Sequence, residues 1–156
     1  MASTEQLNAL MAETGAILEL AQVLGFDEGG WALEVDADTL VFVDHETDQD
    51  RIVLSGEVAP VRPAAKASVH DLLLQYNNQW KTTGGVRMAL DGPNGSVIQI
   101  CDLSTAQLDA HAFAGTVRTF VDVLQGWRDI LSRDPANGSG NPPDAFEMAN
   151  QGFIRG

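Results

Sequence analysis

Leu72-Leu73-Leu74-Gln75-Tyr76-Asn77-Asn78-Gln79-Trp80 closes an apolar helix on a pair of asparagines, and Gly84-Gly85 then breaks the chain. Behind the break, Val86, Met88 and Leu90 alternate with Arg87 and Ala89, the period of a half-buried strand. Asp91-Gly92-Pro93-Asn94-Gly95 is turn chemistry, and Val97 to Cys101 makes the return strand. Ser104 and Gln107 are spaced as a capping box for a third helix running to about Ser132. Its stripe of Phe113, Val117, Phe120, Val121, Leu124, Trp127 and Leu131 is long and regular. This half of the chain reads helix, strand, strand, helix.

Upstream, Ser3 with Gln6 predicts a capped helix from about Glu5 to Leu24. Its stripe is Leu7, Leu10, Met11, Ile17, Leu18, Ala21 and Leu24, with Gly25 as the left-handed stop. Three strands follow: one through Trp31, Leu33 and Val35, one at Leu40-Val41-Phe42-Val43, and one from Arg51 to Val58. The second is apolar on both faces, and such a strand needs cover on both sides. With three helices to offer, the chain is expected to leave part of one sheet face for another chain. Pro60 and Pro63 mark a linker, and Ser68 with Asp71 is expected to cap the helix carrying Val69, Leu72, Leu73, Tyr76 and Trp80. The predicted class is α+β, with a twisted antiparallel sheet in one domain over residues 1–132. Residues 133–156, rich in Gly, Pro and Asn, are expected to be a flexible tail, with a weak helical turn through Phe146, Met148 and Phe153.

Charge narrows the partners. The net charge is −13 over 156 residues, and no Lys or Arg precedes Arg51. Such a surface repels phosphate, which argues against nucleic acid and anionic membranes. A protein partner is expected to be basic or neutral. Cys101 is alone, so no internal disulfide forms, and a reducing compartment fits. No signal peptide and no membrane-length apolar run is read, which makes the expected location the cytoplasm.

No motif in the sequence carries catalytic or metal chemistry. Asp44, His45, Glu46, Asp48 and Asp50 imitate the start of a calcium loop, but Gln49 stands where that loop needs Gly and Ser55 where it needs a bidentate Glu. His70 and His111 have no second ligand at helical spacing, so no metal is assigned. Cys101 sits in an apolar strand without a group that would lower its pKa. Neither Gly29-Gly30 nor Gly84-Gly85 opens a helix as a phosphate loop would. No catalytic residue and no cofactor is expected.

The order of parts from about Leu7 to Leu131, together with the acidity, resembles the Tir-chaperone-like family of type III secretion chaperones. Its carriers are Leu73, Leu74 and Asn77, the glycine pair, the strand-turn-strand unit, Asp102-Leu103-Ser104, and the last helix with Phe120-Val121 and Trp127. The resemblance implies a cytoplasmic homodimer without enzymatic activity. Such a dimer holds the N-terminal region of a secreted effector extended and presents it to the secretion machinery, with the secretion ATPase as a further partner. It implies a two-fold interface from Leu73, Tyr76, Trp80, Val86, Met88 and Leu90. Client contacts are expected at Leu10, Ile17, Val41 and Val43, and at Phe113 and Phe120, for which burial in the core is the competing role. Two other readings stay open: a small acidic immunity protein or inhibitor binding a folded toxin or enzyme, and a small-molecule binder using the open sheet face.

Overall fold

The computed structural model describes residues 2–27, 29–106 and 108–133. The elements run α1 (Thr4–Ile17), β1 (Gln22–Phe26), β2 (Gly30–Asp36), β3 (Thr39–Glu46), β4 (Arg51–Ala59), α2 (Lys66–Asn78), β5 (Arg87–Leu90), β6 (Val97–Ser104) and α3 (Ala110–Ser132). Short 3₁₀ turns precede β4 and α2. The strands form one sheet in the order β1-β2-β3-β4-β6-β5. The β1–β2, β2–β3, β3–β4 and β5–β6 pairs are antiparallel. This is the expected α+β class with one strand more than the sequence reading.

That extra strand corrects the first helix. α1 opens on the predicted capping box: Gln6 N–H donates to Ser3 Oγ at 3.2 Å, and Ser3 N–H to Gln6 Oε1 at 2.9 Å. It ends at Ile17 rather than Leu24, because Glu19 turns the chain with φ 53 and Gln22–Phe26 pairs with β2 along its whole length. Gly15 makes room for the turn-back, since a Cβ there would stand 2.6 Å from Val23 Cγ2. Gly25 is therefore not a helix stop. It lies in β1 where a Cβ would meet the Trp31 ring at 3.6 Å.

The other caps shift as well. α2 starts at Lys66 from a 3₁₀ lead-in through Pro63, so Ser68 falls inside the helix and no side chain caps it. α3 starts at Ala110, where Asp109 Oδ1 accepts the Ala112 N–H at 2.8 Å in the manner of an N-cap. Ser104 ends β6 instead, and Gln107 lies outside the described residues, as do Phe146, Met148, Phe153 and the tail from 134 onward.

The described residues divide into two compact units, those up to 56 with those of 101–118, and those of 57–100 with 119–133. In the first, one face of β2, β3 and β4 is buried: Trp31, Leu33, Val41, Val43, Ile52 and Leu54 are almost wholly covered, as are Leu7, Met11, Phe113 and Val117. Trp31 Nε1 donates to Asn8 Oδ1 at 2.9 Å, which fixes α1 on that face. The hairpin end of β3–β4 is held by Arg51, which meets Glu46 at 2.7 Å and Asp102 at 2.8 Å. Beside it, Asp50 adopts φ 47, and the Thr105 hydroxyl donates to both its carbonyl and its carboxylate.

In the second unit, Tyr76 and Trp127 pack edge to face with centroids 5.0 Å apart, and both are fully buried. Gln99 Nε2 donates to Phe120 O at 2.8 Å, and Arg128 donates to Val58 O at 3.0 Å and to Glu57 O at 2.9 Å. Gly84 and Gly85, at φ 62 and 88, take left-handed conformations that a side chain would strain, and so swing the chain from α2 into β5.

Candidate functional site

Residues opposite one another in an antiparallel pair point to the same face of a sheet. The register Leu24↔Ala32↔Phe42 therefore puts these three side chains together, away from Val23, Leu33 and Val41. Gln22, Glu34 and Leu40 lie to one side of this row, and Phe26, Gly30 and Asp44 to the other. On this face Leu24, Phe26, Leu40 and Phe42 are 41–54% exposed, so four large apolar side chains stand in solvent across β1 and β3. Solvated sheet faces normally carry polar residues at such positions. A cluster of large apolar ones marks an interaction surface.

The phase of β3 decides which residues form it. The β2–β3 register shifts between Glu34 and Asp36, and a one-residue slip moves every side chain to the other face. With the shift as it is, Val41 and Val43 are fully buried while Leu40 and Phe42 stay outside. Of the expected client contacts, Val41, Val43, Phe113 and Phe120 thus lie in the interior, and Leu10 and Ile17 on α1 are half-buried. The apolar surface of β3 sits one residue along from the expected one. Leu24 and Phe26 lie on the strand that the sequence reading assigns to the end of the first helix, though the alternation Gln22-Val23-Leu24-Gly25-Phe26 carries a strand signal.

The two edge strands differ in their freedom to accept another. Asn77 of α2 occupies both backbone groups of Met88 in β5: its Nδ2 donates to Met88 O at 2.9 Å, and its Oδ1 accepts the Met88 N–H at 2.8 Å. A strand added to β5 would have to displace that side chain. β1, at the other end of the strand order, is exposed at four of its five residues. Among the described residues β1 ends the sheet, and an edge of this kind is a ready template for a further strand.

The residues expected at a two-fold interface are divided. Leu73, Tyr76, Val86 and Met88 are buried within the chain, Leu90 is half-buried, and Trp80 is exposed. Trp80 at 68% and Leu74 at 69% are the most exposed large apolar side chains among the described residues. Lys81 Nζ stands 5.5 Å from the centre of the Trp80 ring.

The acidity is concentrated. Residues 1–56 and 101–118 contain fourteen Asp and Glu against two Lys and Arg, a net −12, and the remainder of the chain carries only −1. The apolar face of β1–β3 thus belongs to the acidic unit. Among the described residues no His, Cys, Asp and Glu are grouped as a metal site would require, and no helix is long and apolar enough to cross a membrane.

The model of the Tir chaperone protein (CesT) family matches residues 10–128, about three quarters of the sequence. This chain belongs to that family. Comparison with curated protein sequences returns no match. Among solved structures, the chain is similar to one in the ExsC–ExsE complex, with a TM-score of 0.72 at 22% identity, covering 84% of this chain and 97% of the other. A chain of the HopA1–SchA chaperone–effector complex gives 0.62 at 15% identity over 83% and 99%. A chain from the complex of the Yersinia pestis type III secretion chaperone SycH with a fragment of YscM2 gives 0.58 at 18% identity over 75% and 95%. At these identities the likeness establishes the fold. The membership of the Tir-chaperone family expected from the sequence rests on the family model.

Proposed function

We propose that this member of the Tir chaperone family is a cytoplasmic chaperone of type III secretion that holds the N-terminal segment of a secreted effector in extended form. The observation carrying this reading is the group of exposed apolar side chains, Leu24 and Phe26 on the edge strand β1 with Leu40 and Phe42 on β3. Client side chains bury against that group, and an adjoining stretch of client backbone extends the sheet at β1. Apolar burial supplies about 25 cal/mol per Å², from which the cost of ordering the client is subtracted. The chaperone turns nothing over. It acts as a homodimer, with Leu74 and Trp80 as the apolar contacts of a self-complementary patch and half-buried Leu90 beside them.

Co-expression with the product of the neighbouring gene tests the reading. The partner is expected to be soluble with this chain and insoluble without it, and to lose binding when its N-terminal region is removed. Phe42→Asp should abolish the complex while leaving the fold intact. A partner that binds through a folded enzymatic domain and loses its activity would point to an inhibitor instead.

A further inference from the structure

The open face of β1–β3 has relief and a charge pattern as well as apolar area. A Cβ on Gly30 would stand 3.6 Å from Phe26 Cδ2 and 3.3 Å from Asp44 Oδ1, so side chains from β1 and β3 flank a floor position that has none. Two residues along β2, Ala32 is the floor between Leu24 and Phe42, only 4% exposed although both neighbours stand in solvent. Two further along, Glu34 lies between Gln22 and Leu40. The result is a shallow trough along β2, walled by large apolar side chains and carrying a carboxylate at each end. Gly30 and Glu34 are four residues apart, so Asp44, opposite Gly30 on β3, is set off from Glu34 by about 13 Å along the strand direction at ~3.3 Å per residue.

We propose that this trough selects basic amphipathic segments: extended chain in which Lys or Arg residues about four positions apart bracket a large apolar side chain on the same face. The inference rests on the chaperone reading of the same face and adds the chemistry of the client. Apolar burial in the trough gives the affinity, and Glu34 and Asp44 give the preference. A carboxylate in the client would meet like charge at both ends of the trough, in a unit whose net charge is −12. Arg51, the first cation of the sequence, is engaged by Glu46 and Asp102.

Three synthetic fifteen-residue peptides test this. They share a central Val-Leu-Val in a Ser/Gly background and differ in the bracketing pair, which is Lys, Ser or Glu. Binding to the full chain is read by amide chemical shifts at 50 mM and 500 mM NaCl. The Lys peptide should bind about tenfold more tightly than the Ser peptide at low salt, as two exposed ion pairs at the upper end of their range allow. The Glu peptide should bind more weakly than either. Perturbations should centre on residues 22–26 and 40–44, and the advantage of Lys should largely vanish at high salt. Glu34→Gln with Asp44→Asn should erase the preference, so that the Lys, Ser and Glu peptides bind the double variant alike. Equal affinity of the Lys and Ser peptides on this face would overturn the charge selection and leave the chaperone reading standing. A Lys preference that survives the double variant would overturn the trough as its source. Failure of all three peptides, or a change in self-association on Phe42→Ser seen by sedimentation, would remove the client site itself.

Discussion

Asn77 and Met88 are joined as two strands would be, with a side-chain amide in place of the second backbone. The donor and the acceptor of Met88 are both taken, at 2.8 and 2.9 Å, by one residue at the end of α2. The pairing ties α2 to β5 and closes that edge of the sheet at its midpoint.

Asn77→Ala should therefore cost stability out of proportion to its size. It leaves the Met88 N–H and C=O, in a residue only 5% exposed, without their partner, a loss of about 1–3 kcal/mol. Urea denaturation measures it, with the exposed neighbour Asn78→Ala as a control expected to stay within about 0.5 kcal/mol. A loss as small as the control's would show that water replaces the amide freely.

Gly15 and Val23 should be coupled. Alanine is favoured over glycine in a helix by about 1 kcal/mol, but a Cβ at position 15 would stand 2.6 Å from Val23 Cγ2, and a β-branched side chain has little freedom to move aside. Gly15→Ala is expected to destabilise the natural chain by about 1–2 kcal/mol. In a Val23→Ala background the obstruction is gone, and the same substitution should stabilise. A double-mutant cycle reads the reversal, and equal effects in the two backgrounds would contradict this account of how β1 lies on α1.

The same contact explains what the sequence concealed. The alternation around Trp31 and Leu33 and the long stripe of α3 were legible, because one period fits each. Leu18, Ala21 and Leu24 satisfied a helical spacing too, and only the pairing of Gln22–Phe26 with β2 breaks the tie. In Leu40-Val41-Phe42-Val43 every residue is apolar, so the pattern has no phase. A register shift at Glu34 and Asp36, which no local spacing announces, decides that Phe42 faces solvent and Val43 the core. The α2–β5 patch was readable as apolar, but the division between buried Tyr76 and exposed Trp80 depends on where α2 stops, at Asn78.

Asp50 gives the fold an acid dependence. The Thr105 hydroxyl bonded to its carboxylate holds the Asp50 pKa below the ordinary aspartate value. A carboxyl with a depressed folded pKa adds stability that is fully present above its unfolded pKa and lost as pH falls through the folded one. Thr105→Val should lower the melting temperature at pH 7, and the difference from the natural chain should shrink below about pH 4, where the unfolded aspartate takes up its proton. A difference that stays constant down to pH 3 would assign the effect to the other bond, from Thr105 to the Asp50 carbonyl.

Trp80→Asp and Leu74→Asp should each turn a dimer into a folded monomer, because both side chains project into solvent and neither supports the interior. Light scattering at micromolar concentration checks this. A natural chain that is already monomeric there would contradict the homodimer.

Hydrogen exchange on the purified complex with the secreted partner tests the central claim most directly. If this chain holds an extended effector segment on its open face, amides of residues 22–26 should gain protection, together with a stretch near the partner's N-terminus that exchanges freely when the partner is alone. Protection confined to a folded catalytic domain of the partner, with its N-terminal region still exchanging and β1 unchanged, would contradict it.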